Sequence, residues 1–297
     1  MSPLPPPTSI NSSGFATALE LYPSLVENVY KSKLKDVKKL NEALERDKWR
    51  FEELPLSIPI LNGGKESKAG KSQKRVSLSK AIVERLVQWK ITHGHSRPFL
   101  PAMIRKNDAA AVEEQTALAY EKLGGSPSTS APSTATLIAA LDSACKLTGI
   151  GPATGTLILA VYDPKYIPFF QDEMFLWFFP DHKDAKLKYT QKEYLQLYDA
   201  VAPVLKKLGV KAVDLEKVAY VLGHKELLEP TDLSKLEEAL GGNSDNATKK
   251  PAVKKAESSP KSDAAPSKPA KGTKRGAETS QHSEESTSKR QTRRNRS

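Results

Sequence analysis

The feature that most constrains this chain is a Gly-Ile-Gly-Pro turn at residues 149–152, between two apolar segments. The preceding residues 136–146 place apolar side chains at helical spacing, which predicts a first helix that leads into the turn. Pro152 suits the first position of a second helix, because the N–H that it lacks would have no intrahelical partner. Glycine accepts positive φ and allows close backbone approach. The pattern therefore predicts two closely packed helices joined by a short turn.

The start of the second helix is suited to binding an anion. Its first backbone N–H groups have no acceptor within the helix, and the positive end of the helix dipole lies there. A DNA phosphate oxygen fits such a site, and this contact reads no base. The residues expected to supply the site are Gly149, Ile150, Gly151, Ala153 and Thr154, and Ile150 is also expected to fill the space between the helices. The alternative is an ordinary corner between two helices that binds nothing.

Residues 147–160 resemble the hairpin of the helix-hairpin-helix DNA glycosylase superfamily, whose fold is that of endonuclease III, and suggest a divergent eukaryotic member. The resemblance implies an all-α helical bundle and a catalytic aspartate in the loop that follows the hairpin. Asp172, 21 positions after Gly151, stands where that aspartate is expected. Its carboxylate would stabilise the sugar cation as a flipped base departs, or would activate the incoming water. Asp172 also precedes the apolar run 174–179, so a helix N-cap is the alternative role.

Two departures from the family pattern narrow the expected activity. Members that also cleave the strand carry a nucleophilic lysine where this chain has Ala153, so the resemblance implies a monofunctional glycosylase without lyase activity. Many members bind an iron–sulfur cluster through four cysteines, whereas Cys145 is the single cysteine here, and no cofactor is expected. The alternative function is a non-catalytic DNA-binding or protein-interaction adaptor that keeps only the fold.

Several side chains outside the turn are candidates for contact with DNA or metal. Lys90, Arg97 and Arg105 are suited to phosphate contacts, and the alternative for them is a solvated surface. His93 and His95 flank Gly94, but no cysteine or further histidine pair stands at zinc spacing. We therefore expect an exposed turn there and no metal site.

Apolar periodicity predicts the remaining helices. It indicates one long charged helix within residues 16–51, a helix over 78–91 with Ser79 as its N-cap, and helices over 191–208 and 214–222. The aromatic residues of the run before Pro180 are expected in the core, with stacking on a flipped base as the alternative; they are Phe175, Trp177, Phe178 and Phe179.

Composition divides the chain into segments of different character. Residues 241–297 carry 14 Lys and Arg against 6 Asp and Glu and have no aromatic residue, which predicts a disordered basic tail. The predicted segments are a disordered N-terminus over 1–13, an N-terminal helical region over 14–61, a flexible basic loop over 62–77, a glycosylase-like domain over 78–240 with a loop at 124–133, and the tail. The tail supplies +8 of the net charge of +11.

The tail also indicates a compartment and partners. Its basic clusters are of the kind that nuclear import receptors bind; they contain Lys274, Arg275, Lys289, Arg290, Arg293 and Arg294. The tail can also bind DNA without sequence preference through counterion release. A purely electrostatic patch or a solubilising linker is the alternative. We expect a nuclear monomer that binds DNA mainly through the phosphate backbone, and no secretion signal or membrane segment.

Overall fold

The computed structural model describes residues 4–61, 75–125, 130–182 and 187–241, and within these ranges the fold is all-α, with no strand. Most of the helices begin at a side-chain cap or a proline, as expected where the first N–H groups lack acceptors. The helices are α1 (Ser12–Lys33), α2 (Val37–Lys48), α3 (Leu54–Leu61), α4 (Lys80–His93), α5 (Leu100–Arg105), α6 (Ala109–Lys122), α7 (Thr134–Ala144), α8 (Pro152–Tyr162), α9 (Asp172–Phe178), α10 (Gln191–Leu208), α11 (Ala212–Gly223) and α12 (Pro230–Gly241). A π-helical segment, Trp49–Glu53, joins α2 to α3.

Helix α8 is the centre of the bundle. Every residue after Pro152 is buried, so the helix is apolar on all sides and must be surrounded by other helices. It contacts α3, α4, α6, α7 and α10. Gly155 allows α7 to pack closely, because a Cβ at that position would lie 2.6 Å from Leu141 Cδ1. The predicted close packing of the two helices that flank the turn is therefore present.

The N-terminal helices belong to the same body as the rest of the described chain. Helix α1 packs against α11 and α12, and α2 packs against α4. The single long helix predicted over residues 16–51 is wrong, because Leu34 adopts an extended conformation and ends α1. Asp36 then caps α2 by accepting a hydrogen bond from the backbone N–H of Lys39. A local cap that satisfies a free N–H competes with continuation of the helix.

The prediction of a disordered N-terminus over residues 1–13 is corrected for residues 4–13. Ile10 is fully buried, and Asn11 caps α1. The indole of Trp177 donates a hydrogen bond to the carbonyl of Pro5 at 2.9 Å, and Lys207 donates to the carbonyl of Thr8 at 2.6 Å. The prolines prevent a helix here, but the carbonyls of Pro5 and Thr8 accept hydrogen bonds from the folded body.

Two of the predicted loops lie partly outside the described residues. Of the predicted flexible loop 62–77, residues 75–77 are packed: Arg75 pairs with Glu114 and Glu121, and Val76 is buried, which corrects that end of the prediction. In the loop 124–133, Gly124 and Gly125 adopt positive φ. The tail from residue 242 onward, with its six import-signal residues, lies outside the described part of the chain.

Other predictions are confirmed. Ser79 caps α4 by accepting from the N–H of Ile82. Helix α10 spans the predicted residues 191–208 and buries one face, which consists of Tyr194, Leu197, Tyr198, Val201, Val204 and Leu205. Among the helices of the described ranges, none is long and apolar enough to cross a membrane.

Candidate active site and phosphate-binding turn

The turn between α7 and α8 has the backbone geometry that its glycines indicated. Gly149 adopts φ +82°, and a Cβ there would lie 2.9 Å from Met103 Cβ, so only glycine fits without a shift. Ile150 is buried between the helices as predicted, and Gly151 occupies the N-cap position of α8 in an extended conformation. Asn107 holds the turn by donating to the carbonyl of Thr148 and accepting from its N–H.

Not all of the five predicted phosphate-binding residues offer a free donor. The N–H of Ile150 donates to the carbonyl of Leu147, and that of Thr154 donates to the carbonyl of Gly151. In the described chain, the N–H groups of Gly149, Gly151 and Ala153 have no protein acceptor. The set of candidate donors is therefore corrected from five residues to these three.

Asp172 begins α9, but it does not cap the helix. The N-cap position belongs to Gln171, and no side chain makes a capping hydrogen bond there. Tyr189 donates its hydroxyl proton to Asp172 Oδ2 at 3.0 Å, and His95 Nδ1 lies 2.8 Å from the same oxygen. The alternative N-cap role is thus wrong, although a negative charge in the first turn of a helix is still favourable.

Tyr189 reaches Asp172 through an uncommon backbone conformation. Its φ is +56°, which is rare for a residue with a bulky side chain and is found where the surroundings enforce it. The next residue, Thr190, begins α10 with a capping box that it forms with Glu193. Burial and the neighbouring Asp172 carboxylate raise the pKa of Tyr189, so its hydroxyl remains a donor. The sequence analysis predicted neither the capping box nor the direction of the Tyr189 side chain.

Asp172 lies between two clefts. The small cleft encloses about 30 Å³, which is room for about one water molecule. Its walls include Lys90, His93, Arg97, Gln171, Asp172 and Tyr189. The Arg97 guanidinium lies 5.6 Å from the Tyr189 ring centre. Burial lowers the pKa of Lys90, and the negative charge of Asp172 opposes that shift.

Of the three predicted phosphate-contacting cations, the structure brings Lys90 and Arg97 to this small cleft. Arg105 instead lies at the end of α5, beside a separate surface cleft with Arg46, Glu84 and Arg85. The sequence could not show that Arg105 lies apart from Lys90 and Arg97, because all three stand within sixteen residues of one another.

The large cleft is mostly apolar and has a volume of about 680 Å³. Its walls include the N-terminal residues 4–7, Leu176, Trp177 and Phe178. The polar groups that line it are His95, Asp172, Glu173, His224, Lys225 and Glu226. Glu173 Oε1 lies 3.0 Å from His224 Nε2. A concave apolar site with few convergent polar groups is typical of small-molecule recognition. Sequence analysis missed Glu173, His224 and residues 4–7 as parts of this cleft.

The aromatic run of α9 divides between the core and the large cleft. Phe175 is fully buried and packs against Phe170 and Phe179, as expected of core. Trp177 and Phe178 lie on the cleft, with ring centres 5.7 Å apart. The predicted core role is therefore confirmed for Phe175, and stacking on a flipped base stays a prediction.

The expected exposed His-Gly-His turn is wrong at His93. His93 is 2% exposed and is the last residue of α4, whereas His95 is exposed and contacts Asp172. No group of metal-ligating side chains is found in the described ranges.

His93 belongs to a buried polar cluster centred on Asp47. The Asp47 carboxylate accepts hydrogen bonds from the hydroxyl of Tyr22 at 3.0 Å, the hydroxyl of Tyr30 at 3.2 Å and the indole of Trp89 at 2.8 Å. Burial raises the pKa of Asp47, and these donors oppose the shift. The cluster joins α1, α2 and α4 behind the small cleft.

Comparison of the chain with protein-family models, with curated proteins and with solved structures found no match.

Proposed function

We propose that this chain is a nuclear DNA-binding protein of the glycosylase type, which removes a base from DNA by hydrolysing the N-glycosidic bond. The observation that carries the proposal is the placement of Asp172 at the junction of an apolar cleft of about 680 Å³ and a small polar cleft. A flipped base needs apolar walls, and the sugar beside it needs a carboxylate and access to water. Asp172 stands where these requirements meet.

Hydrolysis of the N-glycosidic bond places three requirements on the site. As the bond between C1′ and the base nitrogen breaks, its electron pair leaves with the base and positive charge develops on the sugar. The Asp172 carboxylate stabilises that charge, and water supplies the oxygen of the new bond to C1′. One water proton passes to Asp172 and from there to the departing base, so the products are a free base and an abasic sugar. The contacts with Tyr189 and His95 hold the carboxylate in place.

Strand cleavage is not part of the proposal. A lyase of this type needs an amine that forms a Schiff base with the sugar. Ala153 stands at the corresponding position and is buried in the start of α8. A monofunctional hydrolase is the activity that these residues support.

The proposed contacts with DNA are electrostatic and do not distinguish one base sequence from another. The free N–H groups of Gly149, Gly151 and Ala153 would bind one phosphate at the start of α8. Lys90 and Arg97 would bind phosphates that flank the flipped nucleotide. The tail, with its net charge of +8, would add salt-sensitive affinity and carry the nuclear import signal.

The decisive experiment compares the full chain with its Asp172→Asn variant on duplexes that carry damaged bases, with alkaline cleavage of the product strand as the readout. We expect wild-type protein to release a base, and the variant to lose about 10²–10⁴-fold in rate. Asp181→Asn is the matched control, because Asp181 is exposed just beyond α9 and lines neither cleft.

Binding measured in parallel distinguishes the enzyme from an adaptor. Affinity for an abasic-site analogue and for undamaged DNA is compared across a salt series, which suppresses the contribution of the tail. Preference for the analogue at high salt is expected of a glycosylase-like site. Equal, salt-sensitive binding to both, with no turnover, would leave the non-catalytic adaptor.

A further inference from the structure

Two buried acceptors on the small cleft have no protein partner. His93 Nε2 and Gln171 Oε1 are both buried, and neither has a hydrogen-bond partner among the residues that the structure describes. Both residues line the same small cleft as Asp172. Buried polar atoms are almost always hydrogen-bonded, by protein or by ordered water. The cleft encloses about 30 Å³, which suits one water molecule.

The surroundings of His93 determine which ring nitrogen carries the proton. The Asp47 carboxylate can only accept, so the Tyr30 hydroxyl, 3.2 Å away, donates to it. That hydroxyl must then accept from His93 Nδ1, which lies 3.1 Å from the Tyr30 oxygen. Nδ1 therefore carries the hydrogen, and Nε2 presents a lone pair. Burial lowers the pKa of His93, with Lys33 and Arg50 adding to the shift, so the ring stays neutral.

Both acceptors are also fixed in orientation. The His93 ring is stacked between Trp89 at 4.5 Å and Tyr220 at 3.8 Å, measured between ring centres. The Gln171 amide nitrogen donates to the carbonyl of Glu216 at 2.8 Å, which leaves its oxygen free. Rigid, correctly protonated acceptors are what a preorganised water site requires.

We propose that His93 and Gln171 bind one water molecule in the small cleft, and that this water is the one consumed in the hydrolysis. The second part rests on the proposed function. In the reaction, the water oxygen bonds to C1′ while one of its protons passes to Asp172 and the other stays hydrogen-bonded to His93 Nε2. The glycosidic electron pair leaves with the base. His93 and Gln171 are thus positioning residues, and Asp172 is the catalytic residue.

The water site is tested first without any substrate, by NMR of the full chain with ¹⁵N-labelled histidine. We expect the His93 ring to carry its proton on Nδ1, and its carbon-bound protons to show a cross-peak to a long-lived water. A proton on Nε2, or no bound water beside His93, would overturn the proposal. This outcome does not depend on whether the protein is an enzyme.

The role of the water is tested by His93→Phe, which keeps a stacked ring and removes the acceptor. We expect kcat for base release to fall about 100-fold with KM little changed, because a reactant that is no longer held in position costs about that factor in rate. Tyr220→Phe is the matched control, because it keeps the stacked ring and removes only the hydroxyl that donates to the His93 carbonyl. Gln171→Met serves the same test if His93→Phe does not fold.

The outcomes separate the two proposals. A bound water with no base release by wild-type protein would refute the proposed function and the reactive role of the water, and would leave only the water site. Base release that is unaffected by both His93→Phe and Gln171→Met would refute the role of this water, whatever the NMR result.

Discussion

Replacing Glu216 by Gln tests whether the N-terminal helices are an integral part of the fold behind the site. Arg50 Nη2 lies 2.8 Å from Glu216 Oε2, and each side chain is 1% exposed. Burial raises the pKa of Glu216 to about 7, so both charges of the pair are fully present only above that pH. Removing one of them there typically costs about 3–5 kcal/mol, because the other charge remains buried without compensation. The Arg50 guanidinium also lies 4.0 Å from the Phe51 ring centre and 4.8 Å from that of Trp89. These contacts survive the substitution, so we expect a loss of about 3 kcal/mol, the low end of the range.

Urea unfolding followed by helical circular dichroism measures this loss. A double variant, Arg50→Met with Glu216→Leu, removes both charges and is expected to be at least as stable as Glu216→Gln, since apolar side chains can replace a buried pair at little cost. Glu27→Gln is the matched control, because Glu27 pairs with Lys31 on the surface and should contribute less than about 1 kcal/mol. A loss below about 1 kcal/mol for Glu216→Gln, or a double variant less stable than the single one, would refute the reasoning.

The remaining predictions concern α7, α8 and the turn between them. Gly149→Ala should destabilise the fold by about 2 kcal/mol, because φ is +82° and the new Cβ would meet Met103. Gly151→Ala should change the free energy of unfolding by less than about 0.5 kcal/mol, because no atom lies within 4 Å of the position that the new Cβ would take. Equal shifts in the thermal unfolding temperature of the two variants would contradict this account. Burial raises the pKa of the Cys145 thiol to about 11, so its alkylation should be slow near neutral pH and accelerate as the pH rises toward that value. A native rate equal to that of the urea-unfolded protein would contradict a buried thiol.

Local sequence patterns predicted the amphipathic helices, which bury only one face. Helix α10 followed from the spacing of Tyr194, Leu197 and Val201, because a helix that buries one stripe must repeat its apolar residues at that period. The turn at Gly149 followed from the same kind of local rule. Residues 4–13 were mispredicted because their prolines have no helical pattern, although tertiary contacts such as that from Trp177 to the Pro5 carbonyl order them.

Local sequence patterns could not predict which side chains contact Asp172. His95 and Tyr189 come from different loops, and only the packing of α4, α9 and α10 brings them to one carboxylate. Sequence spacing gave the position of the acid relative to the turn. It carried no information on whether the carboxylate would cap its own helix or face a cleft.

Helix α4 explains why the N-terminal helices matter to the site. One side of it directs Trp89 and His93 into the buried cluster around Asp47, which α1 and α2 complete with Tyr22 and Tyr30. The next position on the helix, Lys90, lines the small cleft beside Asp172. The cluster therefore fixes the rotation of α4 about its axis. This rotation in turn sets the positions of Lys90 and His93, which line the small cleft. Asp47, Tyr22, Tyr30 and Trp89 do not contact Asp172. Loss of their cluster should nevertheless disturb the Asp172 site, because the cluster sets the orientation of α4.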